Sequence, residues 1–219
     1  MIRQYKHIIW DWNGTILDDV ELSLTLINEL LVKHGLPSLT LSEYRNIFTI
    51  PVRNYYIRAG FDFSRLSFEV IGKMWMDEYE KRKYSCRLFD GITDVMEKIK
   101  EMQIGQSILS AYSQHTLEEM VEYFGLNKYL SHIVGLDNIY AASKVAQGKE
   151  LIKRIGLKNG EVLLIGDTLH DLEVANEIGA DCLLLTCGHQ SEEQFRSQNN
   201  GAAFSGILHS ADKLLTWGN

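Results

Sequence analysis

The residues of this sequence that can do chemistry sit where apolar runs stop. Asp11 closes the run His7-Ile8-Ile9-Trp10, and Asn13, Gly14 and Thr15 follow it at once. Ser110, with Ala111 beside it, ends the stretch that begins at Gly105. Lys144 precedes an amphipathic segment, and Asp167 follows Leu163-Leu164-Ile165-Gly166, with Asp171 four residues further on. An apolar burst ending in a carboxylate and then a glycine is how a buried strand brings a side chain to a sheet's rim and turns away. Ligands in open α/β sheets bind outside the carboxyl ends of the strands, so these residues are predicted to converge on one edge. Carboxylates gathered there repel one another unless a cation neutralises them. An all-oxygen donor set suits a hard ion such as Mg²⁺, which keeps waters and a phosphate oxygen in its shell. A lysine and a hydroxyl would hold the other oxygens of a phosphoryl group, and Asp11 could attack it to form an aspartyl-phosphate.

Taken singly, each of these residues has a plainer use. An aspartate after a strand is commonly a helix N-cap or turn residue, and Asp167 with Thr168 fits that role. Ser110 can be a turn residue, Lys144 a solvated side chain and His170 a surface neighbour of Asp171. The site reading draws its weight from order and placement.

The elements that would position these groups alternate. After the first strand, Val20 to His34 is amphipathic through Leu24, Ile27, Leu30 and Leu31, and Gly35 and Pro37 stop it. Thr40 and Glu43 form a capping-box pattern that opens a second helix. Pro51 to Gly60 predicts a third, and Ser64 to Tyr84 a fourth that buries Phe68, Ile71, Trp75 and Tyr79. From Leu88 onward the rhythm becomes helix and strand by turns. Strands are predicted at 105–110, 132–135, 161–166 and 181–186, with a last short one at Ala203-Phe204 and a closing helix at Ser210 to Trp217. Strands alternating with helices imply a parallel sheet. The expected architecture is α/β: a parallel Rossmann-like sheet core of residues 1–17 and 88–219, with an inserted α-helical cap domain over 18–87.

Composition narrows the function. The formal net charge is −7 with no long basic run, so no nucleic-acid partner is expected. No apolar run is long enough for a membrane span, and Met1 to Lys6 leads directly into a strand, so no membrane partner and a cytoplasmic location are expected. Cys86, Cys182 and Cys187 are odd in number and lack zinc-site spacing, which reads as reduced thiols.

Asp11-Trp12-Asn13-Gly14-Thr15 resembles the first motif, Asp-x-Asp-Gly-Thr/Val, of the haloacid dehalogenase superfamily. Ser110 resembles its second motif, Lys144 its third, and Gly166-Asp167-Thr168-Leu169-His170-Asp171 its fourth, Gly-Asp-x-x-x-Asp. The resemblance spans essentially the whole chain, because a helical cap after the first motif is that family's C1 arrangement. Asp18 and the helix stop at Gly35-Leu36-Pro37 are most similar to the phosphoglycolate phosphatase and β-phosphoglucomutase branch. The resemblance implies that Asp11 is the nucleophile and an Mg²⁺ ligand. It makes the Asn13 backbone carbonyl and the Asp167 carboxylate further ligands, with Asp171 helping directly or through water. Ser110, Ala111 and Lys144 would bind the substrate phosphate.

Two departures stand out. Val145 follows Lys144 where the family has proline, which leaves Lys149 as a second candidate. Asn13 replaces the family's acid/base aspartate, and loss of such a group typically costs about 10²- to 10⁴-fold in rate. The expectation is therefore a Mg²⁺-dependent phosphatase of a small phosphorylated metabolite, phosphoglycolate phosphatase-like. It would be slow, or would use another acid such as His170 or a cap residue. The alternative is a catalytically weakened phosphate-binding or regulatory protein that keeps the pocket. A phosphomutase needs the missing acid/base most and ranks last. Arg53 in the cap, ahead of Arg45 and Arg58, is the expected contact for an anionic substrate tail, and the chain is expected to be a monomer or weak homodimer.

Overall fold

The computed structural model describes residues 2–64, 67–136, 143–198 and 204–217. Its centre is the strand β1 (His7–Trp10), followed by a two-residue strand β2 (Leu17–Asp18). Four helices come next: α1 (Val20–Lys33), α2 (Leu41–Ile47), α3 (Val52–Arg58) and α4 (Phe68–Arg82). After β3 (Arg87–Leu88) the chain runs α5 (Ile92–Glu101), β4 (Gly105–Ser113), α6 (Gln114–Tyr123) and β5 (His132–Leu136). It continues α7 (Val145–Ile155), β6 (Val162–Gly166), α8 (Leu169–Ile178), β7 (Asp181–Leu185), α9 (Glu192–Gln198) and β8 (Gly206–Leu208).

Six strands pair in parallel in the order β5-β4-β1-β6-β7-β8. Trp10 lies opposite Ile108 on β4 and Ile165 on β6, so Asp11, Ser110 and Asp167 come out along one edge. Strand residues alternate between two cores, as a period of two requires. Ile8, Trp10, Leu163 and Ile165 pack on the side of α5 and α6, whereas Ile9, Leu109, Leu164 and Leu184 pack on the side of α8 and α9. The fold is the expected α/β class.

The helices α1–α4 form a third cluster of their own around Ile27, Tyr44, Tyr55 and Ile71. The capping box at Thr40 and Glu43 is made, with Glu43 N donating to Thr40 Oγ1 and Thr40 N donating to Glu43 Oε2. The pair β2–β3 is antiparallel and carries the chain into and out of these helices. Two residues per strand show no alternation to read, which is why the sequence did not announce it.

Elements near the site differ from expectation in informative ways. Strand β4 continues to Ser113, with its register against β5 shifting between Leu109 and Ser113, so Ser110 and Ala111 lie within an irregular strand and not at its end. Helix α8 starts at Leu169, which puts Asp171 in its first turn. The last strand falls at Gly206–Leu208; residue 203 of the expected strand lies outside the described residues, and Phe204 precedes the pairing. The closing segment Ala211–Thr216 is a 3₁₀ helix.

Candidate active site

β1 delivers Asp11 to the sheet edge, where its backbone N–H donates to Ile165 O at 2.8 Å. The turn beyond it is closed by Leu17 N donating to Trp12 O at 2.9 Å and Gly14 N to Leu17 O at 2.9 Å. Gly14 has φ +72°, and a side chain there would collide with the Asp167 carboxylate and the His189 ring, so only glycine fits. Lys144, the N-cap residue of α7, is 2 % exposed and extends its ammonium between two carboxylates. It donates to Asp11 Oδ1 and to Leu109 O at 3.0 Å, and it lies 2.7 Å from Asp171 Oδ1. Lys149 instead pairs with Glu177 at 2.7 Å on the outer face of α7, half-exposed. The two lysines the sequence left open are thus placed very differently.

Asp171 is held by the turn that starts α8, its Oδ2 accepting from Thr168 N at 3.0 Å and Thr168 Oγ1 at 2.7 Å. Asp167 Oδ2 accepts from His189 N at 2.6 Å, and Oδ1 from Thr15 Oγ1 at 3.3 Å. Oxygens of Asp11, Asp167 and Asp171 lie within 4.8 Å of one another, all three residues buried. Burial pushes the Asp11 carboxyl up to about 8; Lys144 pulls against this, and the charges of Asp171 and Asp167 add to it. Burial likewise raises Asp167 to about 6, with His189 opposing. Burial acts upward on Asp171 too, but Lys144 and Thr168 hold it below the ordinary carboxylate range. Burial works against the Lys144 charge, yet Asp11 and Asp171 keep its pKa above that of a free lysine. The donor set is oxygen-only and carries more negative charge than Lys144 can offset, which fits a divalent hard cation.

A second buried constellation adjoins the first, and the sequence reading missed it. Asp19, 2 % exposed, accepts from Asn13 Nδ2 at 2.8 Å and Tyr79 OH at 2.9 Å through Oδ2. Its Oδ1 accepts from Gly14 N at 3.0 Å and lies 3.2 Å from His189 Nε2. Asn13 Nδ2 also reaches Tyr79 OH, at 2.7 Å. His189 Nδ1 contacts Tyr44 OH at 2.8 Å, and its ring stacks on Phe48 with centroids 4.9 Å apart. Burial pulls the His189 pKa down, but Asp19 above all, then Asp167 and Asp11, raises it to about 9. Burial opposes ionisation of Asp19, but His189, Asn13 and Tyr79 hold its pKa below the usual value. A signal existed: His189 follows the apolar run of β7 as Asp167 follows β6, so the strand-end rule that selected Asp167 applies to it as well.

Asp11, Ser110, Ala111, Lys144, Asp167 and Asp171 all line one pocket between the sheet edge and α1–α4. Ser110 Oγ accepts from Tyr112 N at 3.1 Å. Asn13 lines the pocket too, but with its amide turned to Asp19 and Tyr79. Arg53 does not reach the pocket: it is exposed near the start of α3, its guanidinium 5.3 Å from the Phe63 ring centre. Arg58 donates to Ile47 O at 3.4 Å. Arg45 ties the helices to the sheet, donating to Gly188 O at 2.9 Å and Cys187 O at 2.6 Å. Gln190 and Gln194 reinforce that tie by donating to Phe48 O at 2.8 Å and Arg45 O at 2.6 Å.

Residues 8–185 match the family model described as haloacid dehalogenase-like hydrolase. Among curated proteins, a 5'-nucleotidase of Pseudomonas aeruginosa is 26 % identical over 204 residues, covering 89 % of this chain and 88 % of that protein. A phosphoglycolate phosphatase of Synechococcus elongatus is 21 % identical over 193 residues, covering 85 % of this chain and 86 % of its own. Among solved structures, a haloacid dehalogenase-like family hydrolase from Streptococcus pneumoniae superposes with a TM-score of 0.81 at 18 % identity, over 99 % of both chains. At that identity the likeness concerns the fold. No described helix is long and apolar enough to cross a membrane.

Proposed function

The chain belongs to the haloacid dehalogenase-like hydrolases, and from that premise we propose that it is a Mg²⁺-dependent phosphatase of a small phosphorylated metabolite. The observation that carries the reading is Lys144, buried between Asp11 and Asp171 in the pocket that also holds Asp167 and Ser110. Relatives named 5'-nucleotidase and phosphoglycolate phosphatase support phosphoric monoester hydrolysis as the reaction class.

In this reading Asp11 attacks phosphorus through one carboxylate oxygen while the ester P–O bond breaks, and its electron pair leaves with the alcohol oxygen. Water then cleaves the aspartyl-phosphate, releasing phosphate and the free carboxylate. Lys144 and Ser110, with the Ala111 backbone, hold the phosphoryl oxygens. Asp11, Asp167, Asp171 and the Asn13 carbonyl would hold Mg²⁺. The ion neutralises the carboxylates and polarises the phosphoryl group when bound. Asp171 keeps Lys144 aimed at Asp11, and Arg45 latches α2 to the 187–188 loop beside the pocket.

Turnover of para-nitrophenyl phosphate, dependent on added Mg²⁺ and abolished in Asp11→Asn, is the expected result. An Asp11→Asn variant as fast as the parent would sink the reading. One observation favours the alternative of a phosphate-binding or regulatory protein: the Asn13 amide donates both its protons to Asp19 and Tyr79 and has none to exchange. Tight Mg²⁺-dependent binding of beryllium fluoride without turnover would select that alternative.

A further inference from the structure

We infer that the group esterified to the phosphate is an uncharged aromatic ring, so that the substrate is an aryl phosphate. This rests on the phosphatase reading and names the substrate class of the same site.

The pocket wall facing the carboxylates is built from rings. Phe48 and Tyr55 have centroids 5.2 Å apart, Tyr55 and Tyr56 5.3 Å, and Tyr56 and Phe68 5.8 Å. Trp75 stacks on Tyr79 at 4.9 Å, and Tyr79 meets Tyr112 edge-on at 5.8 Å. Such a wall favours an aromatic guest through offset and edge-to-face contacts. It offers little to an anionic tail. Among the described lining residues no arginine occurs, Lys144 is the single lysine and is taken by Asp11 and Asp171, and His189 is taken by Asp19. His170 contributes one ring nitrogen, Nε2, its Nδ1 being paired with Glu173, so a carboxylate tail would meet that nitrogen and a wall otherwise built of rings.

On the wall, the buried Tyr55 hydroxyl has no hydrogen-bond partner among the described residues, which leaves it for a polar substituent on the ring.

The Asn13 environment supplies an independent argument. An amide that donates to Asp19 and Tyr79 cannot protonate a departing oxygen. An alkoxide that receives no proton leaves about as badly as hydroxide, water having a pKa of about 16. A phenolate, with a conjugate-acid pKa of about 10 as in tyrosine, leaves without that help. Asp11 Oδ forms the new P–O bond, the aryl P–O bond breaks with its electron pair on the phenolate oxygen, and solvent protonates the phenolate after release.

The test compares kcat/KM for phenyl phosphate, cyclohexyl phosphate and 2-phosphoglycolate with Mg²⁺ present. Phenyl phosphate is expected to lead the other two by 100-fold or more. Asn13→Asp is expected to narrow the phenyl-to-cyclohexyl gap at least tenfold, because only the alkyl ester needs the acid. Trp75→Leu is expected to raise KM for phenyl phosphate several-fold with kcat retained, and calorimetric titration of the parent with phenol reads the ring site without any variant. Cyclohexyl phosphate or 2-phosphoglycolate turned over within threefold of phenyl phosphate overturns this inference while leaving the phosphatase reading standing. No turnover of any ester overturns both.

Discussion

Asn13 Nδ2 donates to Asp19 Oδ2 across 2.8 Å, deep in the turn that follows the Asp11 strand. Only the NH₂ end of an amide can face a carboxylate oxygen, so the orientation of Asn13 follows from its neighbour. An aspartate at position 13 would meet a second buried carboxylate at hydrogen-bond distance, and the two would have to share a proton. Asn13→Asp alone is therefore expected to lower the melting temperature at neutral pH, and to lower it less in mild acid, where the two carboxylates take up the proton they share. A melting temperature lowered equally at both pH values would refute the pairing.

Lys144 is the cation whose removal should matter. Lys144→Met leaves Asp11 and Asp171 buried without their shared partner, and breaking such a pair typically costs about 3–5 kcal/mol. Denaturant unfolding should show that loss together with loss of turnover. Lys149→Met removes only a half-exposed surface pair with Glu177 and should leave both unchanged. The reverse result would transfer the role to Lys149.

Mg²⁺ should stabilise the folded chain, because the carboxylate cluster forms only on folding. At about 100 times its dissociation constant, a ligand of the native state alone adds about 2.7 kcal/mol. Thermal scans with and without Mg²⁺ should separate accordingly, and Asp167→Asn should abolish the separation. Identical scans for the parent would argue against a metal at these carboxylates.

Acid stability depends on a histidine far from the pocket. Burial, with the charge of His132 adding, lowers the His7 pKa to about 4 from 6.5. The unfolded chain takes up this proton more readily than the folded one, so the contribution is complete above pH 6.5 and disappears as pH falls toward 4. The difference amounts to up to about 3 kcal/mol. Unfolding titrations across that window should show the slope, and His7→Gln should flatten it while keeping a partner for Ser107 Oγ, 2.8 Å away.

Arg45 should act on access rather than chemistry. Arg45→Ala deletes two hydrogen bonds that tie α2 to the 187–188 loop, each loss of this kind costing about 0.5–1.5 kcal/mol. Faster amide exchange in α2, with KM rising more than kcat falls, is the expected result. Unchanged exchange in α2 would show that Gln190 and Gln194 hold it without help.

What could be read from the chain alone was what local order encodes. The apolar runs of β1 and β6 ending at Asp11 and Gly166, the capping box at Thr40 and the helix stop at Gly35-Leu36-Pro37 each lie within a few residues of their cause. Strand alternation and cap chemistry are short-range, so the α/β class and the sheet-edge placement of Asp11 and Asp167 were legible. Tertiary structure set Lys144 and Lys149 apart, because both lie on or beside α7 and only its packing turns Lys144 inward. It also joined Asn13 to Tyr79 and Asp19 to His189, left Arg53 over the Phe63 ring outside the pocket, and drew Arg45 to the 187–188 loop. Those contacts span tens to more than a hundred residues of chain. No periodicity reports them, since they exist only once α1–α4 have closed over the sheet and buried polar groups must find partners wherever the fold brings them.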